Sequence, residues 1–177
     1  DAAYTYTVTT SDDDGDTLTL AATSTLPGWL SFDATTGVLS GTPLNADVGD
    51  NAVVITASDA TATATQSFTI VVTNVNDAPT VSSLISDAST AEDAAYSTDI
   101  SGNFADVDGD TLTYTATGMP STLTMSSAGI LSGTPLQANV GTHSIVVTAS
   151  DGTLTVADTF VLTVTDVNDG PVFSSTG

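Results

Sequence analysis

Lysine and arginine are absent from the 177 residues, against 21 aspartates and glutamates, for a formal charge of −21. With nothing basic to neutralise phosphate, nucleic acid is excluded as a partner and so are anionic membrane surfaces. The carboxylates have no side-chain counter-ion: two of them about 4 Å apart repel by roughly 1 kcal/mol in water and about 4 kcal/mol near a protein surface. A divalent cation is the simplest remedy. Cysteine is also absent, which removes disulfides and thiolate metal sites. The single histidine, His143, leaves too little imidazole for zinc or copper. No apolar run reaches the length of a membrane span and no basic-headed signal segment is visible, so membrane insertion is not expected.

What is present is apolar enough to fold. Hydrophobic residues make up 40% and the mean hydropathy is +0.22, too high for a disordered acidic tail. The chain also repeats itself. Asn74-Val75-Asn76-Asp77-Ala78-Pro79 returns as Asp166-Val167-Asn168-Asp169-Gly170-Pro171, with Asp77 and Asp169 standing 92 positions apart. The string Leu39-Ser40-Gly41-Thr42-Pro43-Leu44 returns unchanged as Leu131 to Leu136, and Asp1-Ala2-Ala3-Tyr4 as Asp93 to Tyr96. The loop Asp12-Asp13-Asp14-Gly15-Asp16 corresponds to Asp106-Val107-Asp108-Gly109-Asp110, with two extra residues before it in the second copy.

Short runs of Thr, Val and Ile separated by Gly, Pro and Asp turns, with no useful helical period, predict an all-β chain of two tandem Greek-key sandwiches of about seven strands each. The repeat places them at 1–77 and 78–170, with 171–177 opening a further copy. Since Pro79 to Glu92 has no counterpart before Asp1, the first module is expected to lack its first strand. The closing strands are expected at 52–56, 67–73, 144–148 and 159–165. Trp29, Leu30, Phe32 and Leu39 are expected in the core.

Three acidic elements recur in phase: the Asp-Gly-Asp loop, the Ala-Ser-Asp turns at Asp59 and Asp151, and the Asn-Asp of the joint. Asp and Gly alone make turns. Gathered at one end of a sandwich, however, such groups supply the six to eight oxygens that calcium takes. Asp33, Asp47, Asp50, Asp87, Asp99 and Asp158 are expected to be solvated surface charges, and His143 a strand-surface residue. No nucleophile with a base, no phosphate-cradling glycine loop and no carboxylic acid in an apolar pocket is visible, so an enzyme is not expected.

On these residues the chain resembles tandem cadherin-like repeats, closest to the dystroglycan-type and putative-Ig modules of large bacterial surface proteins. Asp166-Val167-Asn168-Asp169-Gly170-Pro171-Val172-Phe173 is similar to the cadherin joint motif Asp-x-Asn-Asp-Asn-x-Pro-x-Phe, with Gly170 in place of its second Asn. The resemblance implies calcium ligands at Asp106, Asp108 and Asp151, at Asp12, Asp14 and Asp59, and at Asn76 and Asp77. It further implies Asp166, Asn168 and Asp169 at the second joint, served by Glu92 from its own module. The acidic Leu-Asp-Arg-Glu element of true cadherins is replaced here by Leu39–Leu44 and Leu131–Leu136, which implies one or two ions per joint.

The function expected is an extracellular, calcium-stiffened repeat of a large bacterial surface adhesin or fibre, with neighbouring repeats of the same chain as partners. The alternatives are the repeating subunit of a self-assembling filament or sheath, and a carbohydrate-binding accessory module for a surface glycan.

Overall fold

The computed structural model describes residues 2–171. The sequence assigned to a further repeat after Pro171 lies outside the described residues. The chain divides into two compact units, Asp1–Val75 and Asn76–Gly177, two residues earlier than the repeat suggested, because Asn76 and Asp77 are hydrogen-bonded to Asp151 and Asp108 of the second unit.

In the first unit β1 (Tyr4–Thr7) and β3 (Leu30–Asp33) flank β4 (Val38–Gly41), while β2 (Thr19–Ala22) and β6 (Thr63–Val72) flank β5 (Gly49–Ser58). Every pairing is antiparallel. Apolar residues alternate with Thr and Ser along each strand, so one face of each sheet is greasy. Leu30 and Leu39 from one sheet meet Val53, Ile55 and Ile70 from the other, with Trp29 and Phe32 packed against them. Trp29 stands edge-on to Tyr4 and donates its indole N–H to Asn51 Oδ1 at 3.2 Å, which satisfies its one polar atom inside the core.

The second unit repeats the plan with more strands. One sheet orders β12 (Leu123–Met125), β13 (Ile130–Gly133) and β9 (Tyr96–Asp99); the other orders β11 (Thr113–Thr117), β14 (Gly141–Ser150), β15 (Thr155–Thr165) and β8 (Ala88–Ala91). The pair β7 (Thr80–Val81) and β10 (Phe104–Ala105) adds a two-residue ladder. β8 runs parallel to β15 along its edge. No described strand of the first unit corresponds to β7 or β8. The core is larger than in the first unit and centres on Leu131, Ile145, Val147, Phe160 and Leu162, all 2% exposed or less.

The repeated Leu-Ser-Gly-Thr-Pro-Leu string has a steric reason for its glycine. A Cβ on Gly41 would overlap the Trp29 carbonyl oxygen, and one on Gly133, whose φ is +153°, would overlap that of Thr122. Both atoms are backbone of the turn that leads into the neighbouring strand, and they cannot swing aside as a side chain would. We predict that Gly133→Ala costs at least about 1–3 kcal/mol, the usual penalty of overpacking; an unchanged urea midpoint for the second unit would count against this packing.

Most of the aspartates taken for plain surface charges have a structural task. Asp33 accepts the N–H of Thr35 and Thr36, Asp47 that of Leu44, Asp99 that of Ser101, Asp158 that of Ile85 and Asp87 that of Val161. In a chain without cations, backbone amides act as the carboxylates' partners. Hydrogen bonds from Thr36 and Thr35 hold the Asp33 carboxyl below its usual 3.8, and those from Ser101 do the same for Asp99. His143 is half-buried and its Nε2 lies 2.7 Å from the Asn139 carbonyl. A carbonyl only accepts, so Nε2 carries the proton. Asn51, its counterpart in the repeat, ties the Asp47 carbonyl in the same way at 3.0 Å.

Candidate metal centre

Five acidic residues of the second unit, Asp77, Asp106, Asp108, Asp110 and Asp151, lie in the entering segment or in loops linked to it by hydrogen bonds. The loop between β10 and β11 turns at Gly109, whose φ of +79° suits only glycine comfortably. Asp106 organises that turn, accepting the Asp108 N–H at 2.9 Å and the Asp110 N–H at 3.4 Å on Oδ1. The turn brings carboxylate oxygens of Asp106, Asp108 and Asp110 within 4.8 Å of one another.

Two further segments close on this loop. The Asp77 backbone N–H donates to Asp108 Oδ2 at 2.7 Å, and the Asn76 side-chain amide donates to Asp151 Oδ2 at 2.9 Å. Asp151 sits in the turn between β14 and β15, where it also accepts the N–H groups of Thr153 and Leu154. The Leu154 N–H first, then the Asn76 amide and the Thr153 N–H, hold its carboxyl down to about 2. It therefore stays ionised at any pH at which the protein would meet a metal.

Asp106 Oδ2 is buried and has no hydrogen-bond partner. A buried polar oxygen without a partner is unfavourable, and the side chains gathered beside it, Asp108 and Asp110, are carboxylates too. All the donors are oxygens of Asp, Asn and backbone, and Asp106, Asp108 and Asp110 fall at alternate positions around a glycine, as the first ligands of a calcium loop do. The residues present therefore fit calcium. Asn76 faces Asp151 through its nitrogen, so ligation by Asn76 would need its amide turned to present the oxygen.

The remaining predicted residues are placed as follows. Glu92 is 2% exposed, accepts the Val167 N–H on Oε1 at 2.9 Å, and leaves Oε2 buried without a hydrogen-bond partner. It thus lies against the Asp166–Asp169 segment. Asp166 is exposed and bonded by the Gln137 amide, while the Asn168 amide donates to the neighbouring Asp169 carbonyl. In the first unit Asp12 and Asp59 line one open cleft of about 270 Å³. Asp12 accepts the Asp14 and Asp16 N–H groups, and Asp59 those of Thr61 and Ala62, which lower its pKa. Among the described residues no second trio of carboxylates comes as close as the one at Asp106.

Asp110 was not expected as a ligand, although the alternate spacing of the loop, Asp-x-Asp-x-Asp, was the signal that names it.

The family model described as "Putative Ig domain" matches residues 1–73 and 78–165. The chain is 34% identical over 146 residues to the serine-rich adhesin for platelets of Staphylococcus aureus strain MRSA252, a match covering 81% of this chain and 10% of that protein. It thus spans about a tenth of that relative's length. Among solved structures it is similar to human protocadherin-24 EC1-2, with a TM-score of 0.60 at 15% identity over 92% of this chain and 88% of that one, a likeness of fold. It is also similar to the endo-fucoidan hydrolase MfFcnA4 from glycoside hydrolase family 107, with a TM-score of 0.48 at 28% identity over 94% of this chain and 27% of that one.

Proposed function

We propose that this chain, which belongs to the Putative Ig domain family, is a structural and adhesive repeat segment of a large extracellular surface protein, stiffened by calcium. The observation that carries the calcium reading is the gathering of Asp106, Asp108 and Asp110 carboxylates, one of them with an oxygen that has no hydrogen-bond partner, with Asp77 bonded to Asp108 and Asn76 to Asp151. Asp106, Asp108, Asp110 and Asp151 would supply carboxylate oxygens, and Asn76 and Asp77 would supply side-chain oxygens from the entering segment. A bound cation neutralises charges that no side chain of this protein can pair.

The mechanical consequence follows from where those ligands lie in the sequence. Asn76 and Asp77 belong to the connecting peptide, whereas the others belong to loops some 30 and 75 residues further on. An ion shared by both sets ties that peptide to its sandwich and removes its freedom to swing. Calcium modules outside cells bind at about 10⁻⁴ to 10⁻³ M, the range this reading expects of the site. The similarity to a staphylococcal surface adhesin supports the adhesive role.

Small-angle X-ray scattering of the full chain tests it. In millimolar calcium the distribution of distances is expected to narrow and its maximum to lengthen relative to chelator. Superimposable curves in the two conditions would refute the stiffening role.

A further inference from the structure

The sheet ordered β11, β14, β15 and β8 turns one face to the core, through Tyr114, Ile145, Val147, Phe160 and Leu162, and the other to solvent. The outward residues of all four strands are Thr, Ser, Ala or Val. None is charged or aromatic, in a chain with 21 aspartates and glutamates. The register sets Thr115, Thr148 and Ala157 side by side, and beside them Thr117, Val146 and Thr159, with Val161 diagonal to Val146. Val146 is 36% exposed at the middle of the face. Two valines therefore form an apolar centre framed by hydroxyls. The opposite sheet of the unit differs, since its outer face carries the exposed Asp99.

The first unit repeats the pattern. The outward residues of β2, β5 and β6 are again Thr, Ser, Ala and Val, with Asp50 at one end as the single carboxylate, and Val54 holds the position of Val146. The face thus belongs to the repeat and not to one copy of it.

We propose that this face of the second unit pairs with the same face of a second copy of the chain, laying sheet on sheet. Charge selects the occupant. Two molecules of charge −21 repel each other, and approach through this face brings the valine centres together with no carboxylate of the face between them. A charged partner finds no counter-charge here, and a sugar ring finds no aromatic side chain to stack on. The side chains also lose little freedom on burial, because Ala has no rotamers and Val and Thr are stiff at χ1. Two identical flat faces are self-complementary about a twofold axis, with the sheets about 10 Å apart, and they have the apolar centre and polar rim of a protein interface. Size sets the strength. Strands of 5, 10, 11 and 4 residues, at about 3.4 Å per residue and about 4.8 Å per strand, make a face of about 500 Å². The pair then buries about 1,000 Å², the lower limit for a specific interface. One segment associates weakly, and a protein that strings several such repeats associates side by side through their sum. The inference stands on the uncharged face and is independent of calcium.

Sedimentation equilibrium of the full chain in chelator tests the proposal. A monomer–dimer equilibrium is expected, with a dissociation constant on the order of 10⁻⁴ M in about 0.5 M sodium chloride. In about 0.02 M salt, where the repulsion is poorly screened, the dimer is expected to be at least about tenfold weaker. Val146→Asp and, on the neighbouring strand, Thr115→Asp are each expected to weaken it at least about tenfold by placing like charges face to face. Ser97→Asp, which adds the same charge to the exposed side of the opposite sheet, is expected to leave it unchanged. Circular dichroism and the fluorescence of Trp29, the only tryptophan and part of the first unit, check that each variant is folded. Amide signals of β14 and β15 in the parent are expected to shift as its concentration rises. A monomer at millimolar concentration in high salt, equal weakening by all three variants, or concentration-dependent shifts confined to other surfaces would overturn the proposal. So would a face that shifts on addition of dextran, an uncharged glycan, and not with protein concentration.

Discussion

In about 10 mM calcium the second unit is expected to unfold about 10 °C or more above its midpoint in chelator. If the site binds with a dissociation constant near 10⁻⁴ M, as extracellular calcium modules do, that concentration is about a hundredfold excess and stabilises the folded state by about 2.7 kcal/mol. A unit of this size gains about 4–8 °C per kcal/mol. Calorimetry reads both units, and the Trp29 signal identifies which transition belongs to the first. Asp106→Asn isolates the cause. It keeps an oxygen to accept the Asp108 and Asp110 N–H groups while replacing the partnerless Oδ2 with a neutral amide. The variant is expected to be at least as stable as the parent in chelator and to lose most of the calcium response. A variant that loses stability in chelator and keeps its calcium shift would assign Asp106 to turn structure alone.

Phe160→Ala is expected to cost about 3–5 kcal/mol, the range for deleting a buried aromatic ring, whereas Phe68→Ala is expected to cost about half as much. The two residues hold the same position in the repeat. Phe160 is sealed beneath a strand pair extended by β8 and packs in the larger core. Phe68 is half-exposed on the open edge and has the Tyr6 ring 5.5 Å away, centre to centre, as a partial cover. Removing it therefore surrenders less buried area and leaves a gap that water already reaches. Urea denaturation, read by Trp29 for the first unit and by circular dichroism for the second, compares them. Equal losses would contradict the difference in cover between the two edges.

Much of this architecture was legible in the sequence because the repeat acts as its own control. A motif found twice in phase, such as Leu39–Leu44 and Leu131–Leu136, separates structural necessity from chance within one chain. The closing strands came out longer than expected, β5 and β6 at ten residues each and β14 and β15 at ten and eleven. Their outer stretches, such as Gly49-Asp50-Asn51, Thr63 to Gln66 and Gly141-Thr142-His143, are mostly small or polar and leave little apolar alternation to read. The roles of Asp87 and Asp158 were not legible either, since each caps an amide 73 or 74 residues away and no local pattern marks such a pair. The resemblance grouped Asn76 and Asp77 with Asp151 and Asp108 as ligands; what the structure shows is a hydrogen bond from each of the first pair to one of the second, beside a buried Pro79 in the entering segment. Asp110 escaped because the family pattern was followed where the loop's own spacing pointed one residue pair further.

The most direct test of the calcium site is a nuclear magnetic resonance titration of the full chain with calcium, following backbone amide signals residue by residue. The signals of Asn76, Asp77, Asp106 to Asp110 and Asp151 are expected to shift together, with one midpoint at about 10⁻⁴ to 10⁻³ M, and to stay still in Asp106→Asn. If those amides do not move while calcium is raised through that range, or if they move equally in the variant, calcium is not held by this cluster.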